Sequence, residues 1–273
     1  ILEKIAAARP GRVLGVSCLP PRLYESHGLR DIRGYDAVDP ARYLEFLAID
    51  RDDSASSTLP YARTIEYVPK MYITSDGRLF CPPTMNMLNL RYLIGRSAPP
   101  PGAKVWAHEK DYFVLENATA MPRVYIPSKV ETVPSDAEML NKLSNLELDP
   151  RKIAYVERPV SLTDNCRGSA SLVDEVPTRL TISLDMQTSG LVVLADRWDK
   201  GWRAYLNERA VPLLRTNYIF RGVVAPAGKS TLVFRYEPES LRLGIFIMIA
   251  GLVGLALCCG LGGWQMRKRR VRC

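Results

Sequence analysis

Charged side chains occur in three short stretches where a hydrophobic core alone would not require them. DIRGYD contains Arg33, Tyr35 and Asp36 close to a glycine. LNLRYLI places Arg91 inside an apolar strand, and ENATAMPRVYI places Arg123 after a proline. A buried guanidinium group needs a partner, and its planar donors fit the oxygens of phosphate and of carboxylate. Two interpretations follow: phosphate binding on a surface that faces a membrane, or buried ion pairs that hold two subdomains together.

A fourth stretch, LADRWDKGWRAYLNERAVPLLRTN (194–217), contains Asp196 and two tryptophans four residues apart. Trp202 falls at the start of the strand expected over 202–206, where we expect it to pack in the core. Trp198 falls in the preceding loop among charged residues. An aromatic side chain exposed in such a loop can stack on a sugar ring or rest on a membrane surface.

The sequence lacks the common motifs of nucleotide-binding and hydrolytic enzymes. GxGxxG, GxxxxGK[ST], GxSxG and HExxH are absent, and the two histidines are His27 and His108. A hydrolase would need convergent carboxylates, for which Asp185, Asp196 and Asp199 are candidates. Their spacing does not require a shared cleft. We therefore assign no catalytic, cofactor-binding or metal-binding residue.

The formal net charge of +8 is concentrated at the C-terminus, where five lysines and arginines occur in the last seven residues. The rest of the chain has 32 basic and 29 acidic residues and no basic stripe. This distribution argues against nucleic-acid binding.

Cysteine spacing indicates no disulfide framework. Cys18, Cys81 and Cys166 are isolated and show neither CxxC nor zinc-site spacing. One disulfide among them or three free thiols are the two alternatives.

The segment GIFIMIAGLVGLALCCGLGGW (244–264) contains 21 residues without a charge. At ~1.5 Å per residue it spans a hydrocarbon layer of ~30 Å, which predicts a transmembrane helix over 241–264. The basic tail, 265–273, is expected in the cytoplasm and residues 1–240 outside it. Small residues spaced four apart, such as Ala250 and Gly254, let a second helix approach closely. Because the chain begins with Ile1, we expect a piece of a longer protein whose upstream helices pack here.

Two kinds of pattern divide the remaining chain. Residues 1–150 predict an α+β subdomain, with a strand at 11–17 and with helices at 39–49, capped by Asp39, and at 135–145, capped by Ser135. Residues 151–240 predict an antiparallel β-sandwich, jelly-roll-like, with one apolar face per strand. The expected strands are 152–157, 170–174, 178–187, 190–195, 202–206, 209–214, 218–225 and 230–237. In RLTISLDM the apolar face is expected to comprise Leu180, Ile182, Leu184 and Met186.

In order and spacing, four segments and the final helix resemble the extracytoplasmic C-terminal region of the YfhO family of bacterial multi-pass membrane proteins. The segments are HGLRDIRGYDAVDPARY, MLNLRYLI, LENATAMPRVYI and GLVVLADRWDKGWRAYLNERAVPLLRTNYIFRGVVAPAGKSTLVFRYEPESLRLG. The resemblance covers nearly the whole chain.

That family looks like the GT-C class of glycosyltransferases, which take a sugar from a polyprenyl-phosphate carrier outside the cytoplasm. The resemblance implies an accessory module of such an enzyme in the bacterial plasma membrane, with an envelope glycopolymer or lipid as acceptor. The catalytic acid expected in the first outer loop has no counterpart in these residues. A non-catalytic glycan-binding or assembly module is the first alternative, and a free-standing membrane-anchored hydrolase is the second.

The chain departs from the family where an Asp-Gly hairpin is expected and Asn207-Glu208 occurs instead. Two-residue hairpin turns need positive φ angles, which glutamate adopts poorly. We therefore expect a longer turn or a different turn type at this position.

Overall fold

The computed structural model describes residues 1–33, 39–56, 64–162 and 164–270. In these ranges the chain is mostly β-sheet, with few helices and one long apolar helix at the C-terminus. The α-helices are α1 (Leu2–Ala6), α2 (Ala41–Ala48), α3 (Pro83–Met87), α4 (Asp136–Leu143) and α5 (Glu239–Arg270), with a 3-10 helix at Pro21–His27.

The strands before residue 150 are β1 (Arg12–Gly15), β2 (Tyr72–Ile73), β3 (Leu79–Phe80), β4 (Leu90–Arg96), β5 (Ala107–Glu109), β6 (Tyr112–Glu116), β7 (Val124–Tyr125) and β8 (Lys129–Thr132). The later strands are β9 (Ile153–Val156), β10 (Gly168–Val176), β11 (Arg179–Met186), β12 (Gly190–Arg197), β13 (Trp202–Leu206), β14 (Arg209–Val211), β15 (Leu214–Thr216), β16 (Phe220–Ala225) and β17 (Gly228–Tyr236).

Most strands belong to three sheets. The N-terminal sheet has the order β1-β4-β6-β5, with β1 and β4 parallel. The five-stranded sheet has the order β10-β11-β17-β13-β14, and the six-stranded sheet has the order β7-β12-β16-β15-β9-β8. β7 and β8 precede residue 150, so the six-stranded sheet combines strands from both predicted subdomains.

The six-stranded sheet is buried on both faces, as its strand β12 shows. Val192 and Leu194 pack in one apolar cluster with side chains of the five-stranded sheet. Leu191 and Val193 belong to a second cluster, which they share with residues of the N-terminal region. Strands buried on both faces read as continuous apolar runs, which explains the uninterrupted GLVVLA of β12.

The apolar face expected in RLTISLDM is confirmed. Leu180, Ile182, Leu184 and Met186 are all buried, and the residues between them are more exposed. The period of two places these four side chains on one face of β11, where they pack with the β12 and β16 side chains.

The two helix caps expected from sequence had different outcomes. Ser135 caps α4, because its side chain accepts a hydrogen bond from the backbone N–H of Glu138 at 3.4 Å. The cap assigned to Asp39 was wrong. Pro40 occupies the position before α2 with extended backbone angles, which moves Asp39 outside the helix, where it accepts a hydrogen bond from Thr64 at 3.0 Å.

The single strand expected at 209–214 was also wrong. The chain forms two strands there: β14 pairs with β13 in the five-stranded sheet, and β15 pairs with β16 in the six-stranded sheet. Pro212 lies between them and has no N–H group for a ladder hydrogen bond. The chain therefore crosses from one sheet to the other at this point.

Helix α5 follows β17 after two residues. It is the one helix in the described ranges that is long and apolar enough to cross a membrane, and its described apolar side chains are exposed. Cys258 and Cys259 lie on it, and Cys18, Cys81 and Cys166 form no disulfide within the described residues.

The turn between β13 and β14 is neither longer nor of a different type, which contradicts both expectations for this position. Leu206 pairs with Arg209, which leaves a two-residue turn in which Asn207 and Glu208 have φ angles of 47° and 67°. The side-chain oxygen of Asn207 accepts a hydrogen bond from the N–H of Thr231 at 2.9 Å. This contact and the β13–β14 ladder hold Glu208 in a conformation that favours glycine.

Replacing Glu208 with glycine should therefore stabilise the protein by about 1 kcal/mol, because glycine has no Cβ atom that is crowded in the left-handed conformation. Chemical denaturation of the full chain in detergent micelles, followed by tryptophan fluorescence, measures this change. Arg209→Gly, one residue later within β14, is the matched control and should destabilise. Equal destabilisation by both variants would contradict the strain at Glu208.

Candidate functional site

The carboxylate of Asp196 lies at the end of β12 and is 9% exposed. Arg12 of β1 donates to it at 2.6 Å, and Arg123 donates through two nitrogens at 2.8 and 2.5 Å. Burial opposes ionisation of Asp196, but the hydrogen bonds from Arg123 and the charges of both arginines outweigh it. They hold the pKa of Asp196 well below its usual range.

Glu175 on β10 extends this cluster. Arg123 makes a two-pronged pair with its carboxylate, at 2.7 and 3.0 Å, and Arg30 lies 2.6 Å from the same group. Together with Arg12 and Asp196, these side chains connect β1, β10 and β12. We call these five residues the Asp196 cluster, and it joins the three main sheets.

The other two arginines singled out in the sequence also bind groups of the chain itself. Arg33 pairs with buried Asp31 at 2.7 Å and donates to two backbone carbonyls. Arg91 donates to the carbonyls of Pro10 and Ala120 at 3.0 and 3.2 Å. These contacts and those of Arg123 favour the ion-pair interpretation over phosphate binding. Tyr35 and Asp36 lie outside the described residues.

Arg221 connects the Asp196 cluster to the tryptophans. Its guanidinium group lies 3.7 Å from the ring centroid of Trp202, and its Nε donates to the carbonyl of Arg197 at 3.0 Å. Nη1 of Arg221 has no hydrogen-bond partner among the described residues. Burial lowers the pKa of Arg221 to about 10, although Asp196 acts in the opposite direction.

Each tryptophan of the fourth stretch carries a guanidinium group on its ring. Arg215 lies 4.1 Å from the ring centroid of Trp198 and pairs with Glu157 at 3.0 Å. Trp202 packs against Arg221 and is tilted against Tyr236, with ring centroids 5.2 Å apart. Each indole ring is therefore stabilised by a cation–π contact within the chain.

The two tryptophans line one cavity of about 220 Å³. Apolar groups of β13, of β14 and of the segment after β14 contribute to its lining, and Lys200 and Arg203 add positive charge. We call this cavity the tryptophan pocket. The lining also includes Ala204, Tyr205, Ala210, Val211 and Leu213.

The tryptophan pocket lies next to the start of the apolar helix. Arg203 pairs with Glu239, the first residue of α5, at 3.2 Å, and Tyr205 donates to Glu237 at 2.9 Å. The register of β13 with β17 places Trp202 opposite Tyr236. If α5 crosses a bilayer, the pocket is therefore close to its surface.

The carboxylates required by a hydrolase do not converge. Asp196 is bound by two arginines, and Asp199 accepts a hydrogen bond from the N–H of Gly201. Asp185 lies opposite Lys229 of β17. Lys229 is seven residues from Tyr236, the β17 residue opposite Trp202, and seven residues of a strand span about 20 Å. The described residues also contain no group of three metal-binding side chains.

Sequence reasoning missed four of the residues that build this region: Arg12, Glu175, Arg215 and Arg221. One signal was available, because Asp196 ends an apolar strand and a carboxylate there needs a partner. The partner itself could not be found in this way, since Arg12 is 184 residues away in the chain.

Replacing Asp196 with asparagine should destabilise the protein by about 3 kcal/mol, because Arg12 and Arg123 would then be buried without this counter-charge. Chemical denaturation of the full chain in micelles measures the loss. Asp174→Asn removes the exposed pair with Arg179 and should cost a small fraction of that energy. Similar losses in the two variants would show that the Asp196 cluster does not hold the sheets together.

The Asp196 cluster should also weaken in acid. A carboxylate with a lowered folded-state pKa contributes stability above its unfolded-state pKa, about 3.9, and loses it as the pH falls further. Between about pH 6 and pH 3 the wild type should lose about 1 kcal/mol more than Asp196→Asn. Denaturation curves at a series of pH values test this, and parallel curves for the two proteins would contradict it.

Comparison with known proteins finds no matching family model, no similar curated protein and no similar solved structure.

Proposed function

We propose that the chain is a membrane-anchored module that binds a sugar unit in its tryptophan pocket and serves a multi-pass glycosyltransferase of the YfhO type. In this proposal the five- and six-stranded sheets form a β-sandwich, residues 1–240 lie outside the cytoplasm of a bacterial cell, and the basic tail is cytoplasmic. The module is not catalytic by itself. Upstream helices of the same protein supply the reaction centre.

The observation that carries this proposal is the tryptophan pocket beside the membrane helix. Trp198 and Trp202 line the pocket, and the partial negative charge of an aromatic face attracts the C–H groups of a sugar ring. The volume of about 220 Å³ is small for a drug-sized ligand and suits a single sugar unit. Lys200 and Arg203 in the lining favour a sugar that carries a negative charge nearby.

The place of the pocket fits a lipid-linked sugar. Arg203 contacts the first residue of α5, so a sugar held at the surface of the bilayer is within reach of the pocket. A polyprenyl-phosphate sugar has its charge next to the sugar and its apolar chain in the membrane. The pocket would hold such a donor, or the glycan acceptor, while the transfer takes place elsewhere in the protein.

The alternative is a non-catalytic glycan-binding or assembly module of an envelope complex. Both functions would use the pocket, so they are distinguished by whether sugar transfer requires the module. Deleting residues 1–237 from the parent protein should abolish sugar transfer if the module positions a substrate. Transfer that survives this deletion would favour the assembly module.

Replacing Trp198 with alanine should weaken sugar binding at least tenfold, or about 1.4 kcal/mol, because one aromatic wall of the pocket is lost. Isothermal titration of the full chain in nanodiscs with the 1-phosphates of glucose, galactose and N-acetylglucosamine measures the affinity. Trp106→Ala is the matched control, since Trp106 is also a partly exposed tryptophan but packs against Tyr92 in the N-terminal region.

The control variant should bind as the wild type does. Equal affinities of all three proteins, or no binding of any sugar by the wild type, would refute sugar binding in the tryptophan pocket. Trp202 is unsuitable for this test because it also supports Arg221 and Tyr236.

A further inference from the structure

Three arginines lie side by side on adjacent strands of the five-stranded sheet. Arg179 of β11 pairs in register with Arg235 of β17, and Arg235 pairs in register with Arg203 of β13. Residues in register point to the same face, with Cβ atoms about 5 Å apart. The next residues along these strands, Leu180, Phe234 and Ala204, face the core. The three arginines therefore form one row on the outer face, which we call the arginine row.

Like charges placed directly opposite one another destabilise a sheet. Within the chain this repulsion is only partly relieved. Arg179 pairs with Asp174 at 2.9 Å, and Arg203 pairs with Glu239 at 3.2 Å, but these are exposed pairs of little strength. Arg235, in the middle of the row, has no carboxylate within 4 Å among the described residues. Its described contact is with the ring of Tyr205, at 4.8 Å.

The position of the arginine row identifies the partner. Arg235 is four residues before Glu239, where α5 begins, and the next register position holds Trp202 and Tyr236 on the other face of the sheet. Tyr236 is 40% exposed. Tryptophan and tyrosine next to an apolar span, with basic side chains beside them, are typical of the interface between a membrane and water.

We propose that the arginine row seats the module on the phosphate groups of anionic lipids in the bilayer that holds α5. Guanidinium donors fit phosphate oxygens in a planar, two-pronged arrangement, and an anionic surface relieves the repulsion between the three charges. This contact fixes how the sheets stand on the membrane. It depends on the insertion of α5 and not on sugar binding in the tryptophan pocket.

Modification of arginine side chains by phenylglyoxal, read residue by residue by mass spectrometry, tests the proposal on the full chain. The protein is inserted into vesicles of phosphatidylcholine alone or of phosphatidylcholine with phosphatidylglycerol, and only protein that floats with the vesicles is measured. Arg235 should react about fivefold more slowly in the anionic vesicles, as expected for one arginine at such a surface. Salt at about 0.5 M, where the screening length falls to about 4 Å, should restore its rate.

Arg209 provides the control within the same molecule. It lies on β14 beyond the turn at the other end of β13 and is exposed, so its rate should be the same in both vesicles. The double variant R179Q/R203Q should remove most of the protection of Arg235, whereas R209Q/K229Q should leave it unchanged.

Three results would overturn the proposal. The first is a rate at Arg235 that does not depend on lipid charge. The second is equal protection of Arg209 and Arg235, since that would reflect general attraction to the surface. The third is equal protection of Arg235 by inorganic phosphate in detergent micelles, which would identify a site for free phosphate and not for a lipid surface.

Discussion

The arrangement of the three main sheets depends on one buried carboxylate. Asp196 accepts hydrogen bonds from Arg12 and Arg123, and Arg123 continues to Glu175. Arg12, Glu175 and Asp196 come from regions that are far apart in sequence and belong to different sheets. Apolar packing buries the faces of the sheets, but it is non-directional and so does not fix their relative orientation. A paired carboxylate is costly to leave without its arginines, so arrangements of the sheets that separate these groups are disfavoured.

Arg221 links the Asp196 cluster to the tryptophan pocket. Its guanidinium group lies under the ring of Trp202 and close enough to Asp196 for the carboxylate to affect its pKa. Trp202 in turn packs against Tyr236, the last residue of β17. A series of contacts and charge interactions thus runs from the N-terminal sheet to the end of β17, two residues before α5. The pocket and the arginine row both lie at the end of this series, beside the membrane helix.

Local sequence patterns predicted much of the fold. The period of two in RLTISLDM predicted the buried face of β11, and Ser135 predicted the start of α4. Failures occurred where one residue was overruled by its neighbours. Pro40 displaced Asp39 from the helix cap, Pro212 divided a strand between two sheets, and Glu208 accepted a positive φ angle because the β13–β14 ladder and the Asn207–Thr231 contact require it. Backbone propensity is a small energy, and tertiary contacts of similar size can reverse it.

By itself, the sequence determined the apolar segment long enough to cross a membrane, the β-rich character of residues 151–240 and the residues that needed partners. Composition and period carry this information, since burial in a membrane or a sheet face depends on the residue and its immediate neighbours. Only the tertiary structure decided which arginine meets Asp196, that Trp198 and Trp202 share a cavity, and that three arginines align in register. Such pairings join residues up to 184 positions apart, and a local pattern carries no information about which distant residue the fold brings next to it.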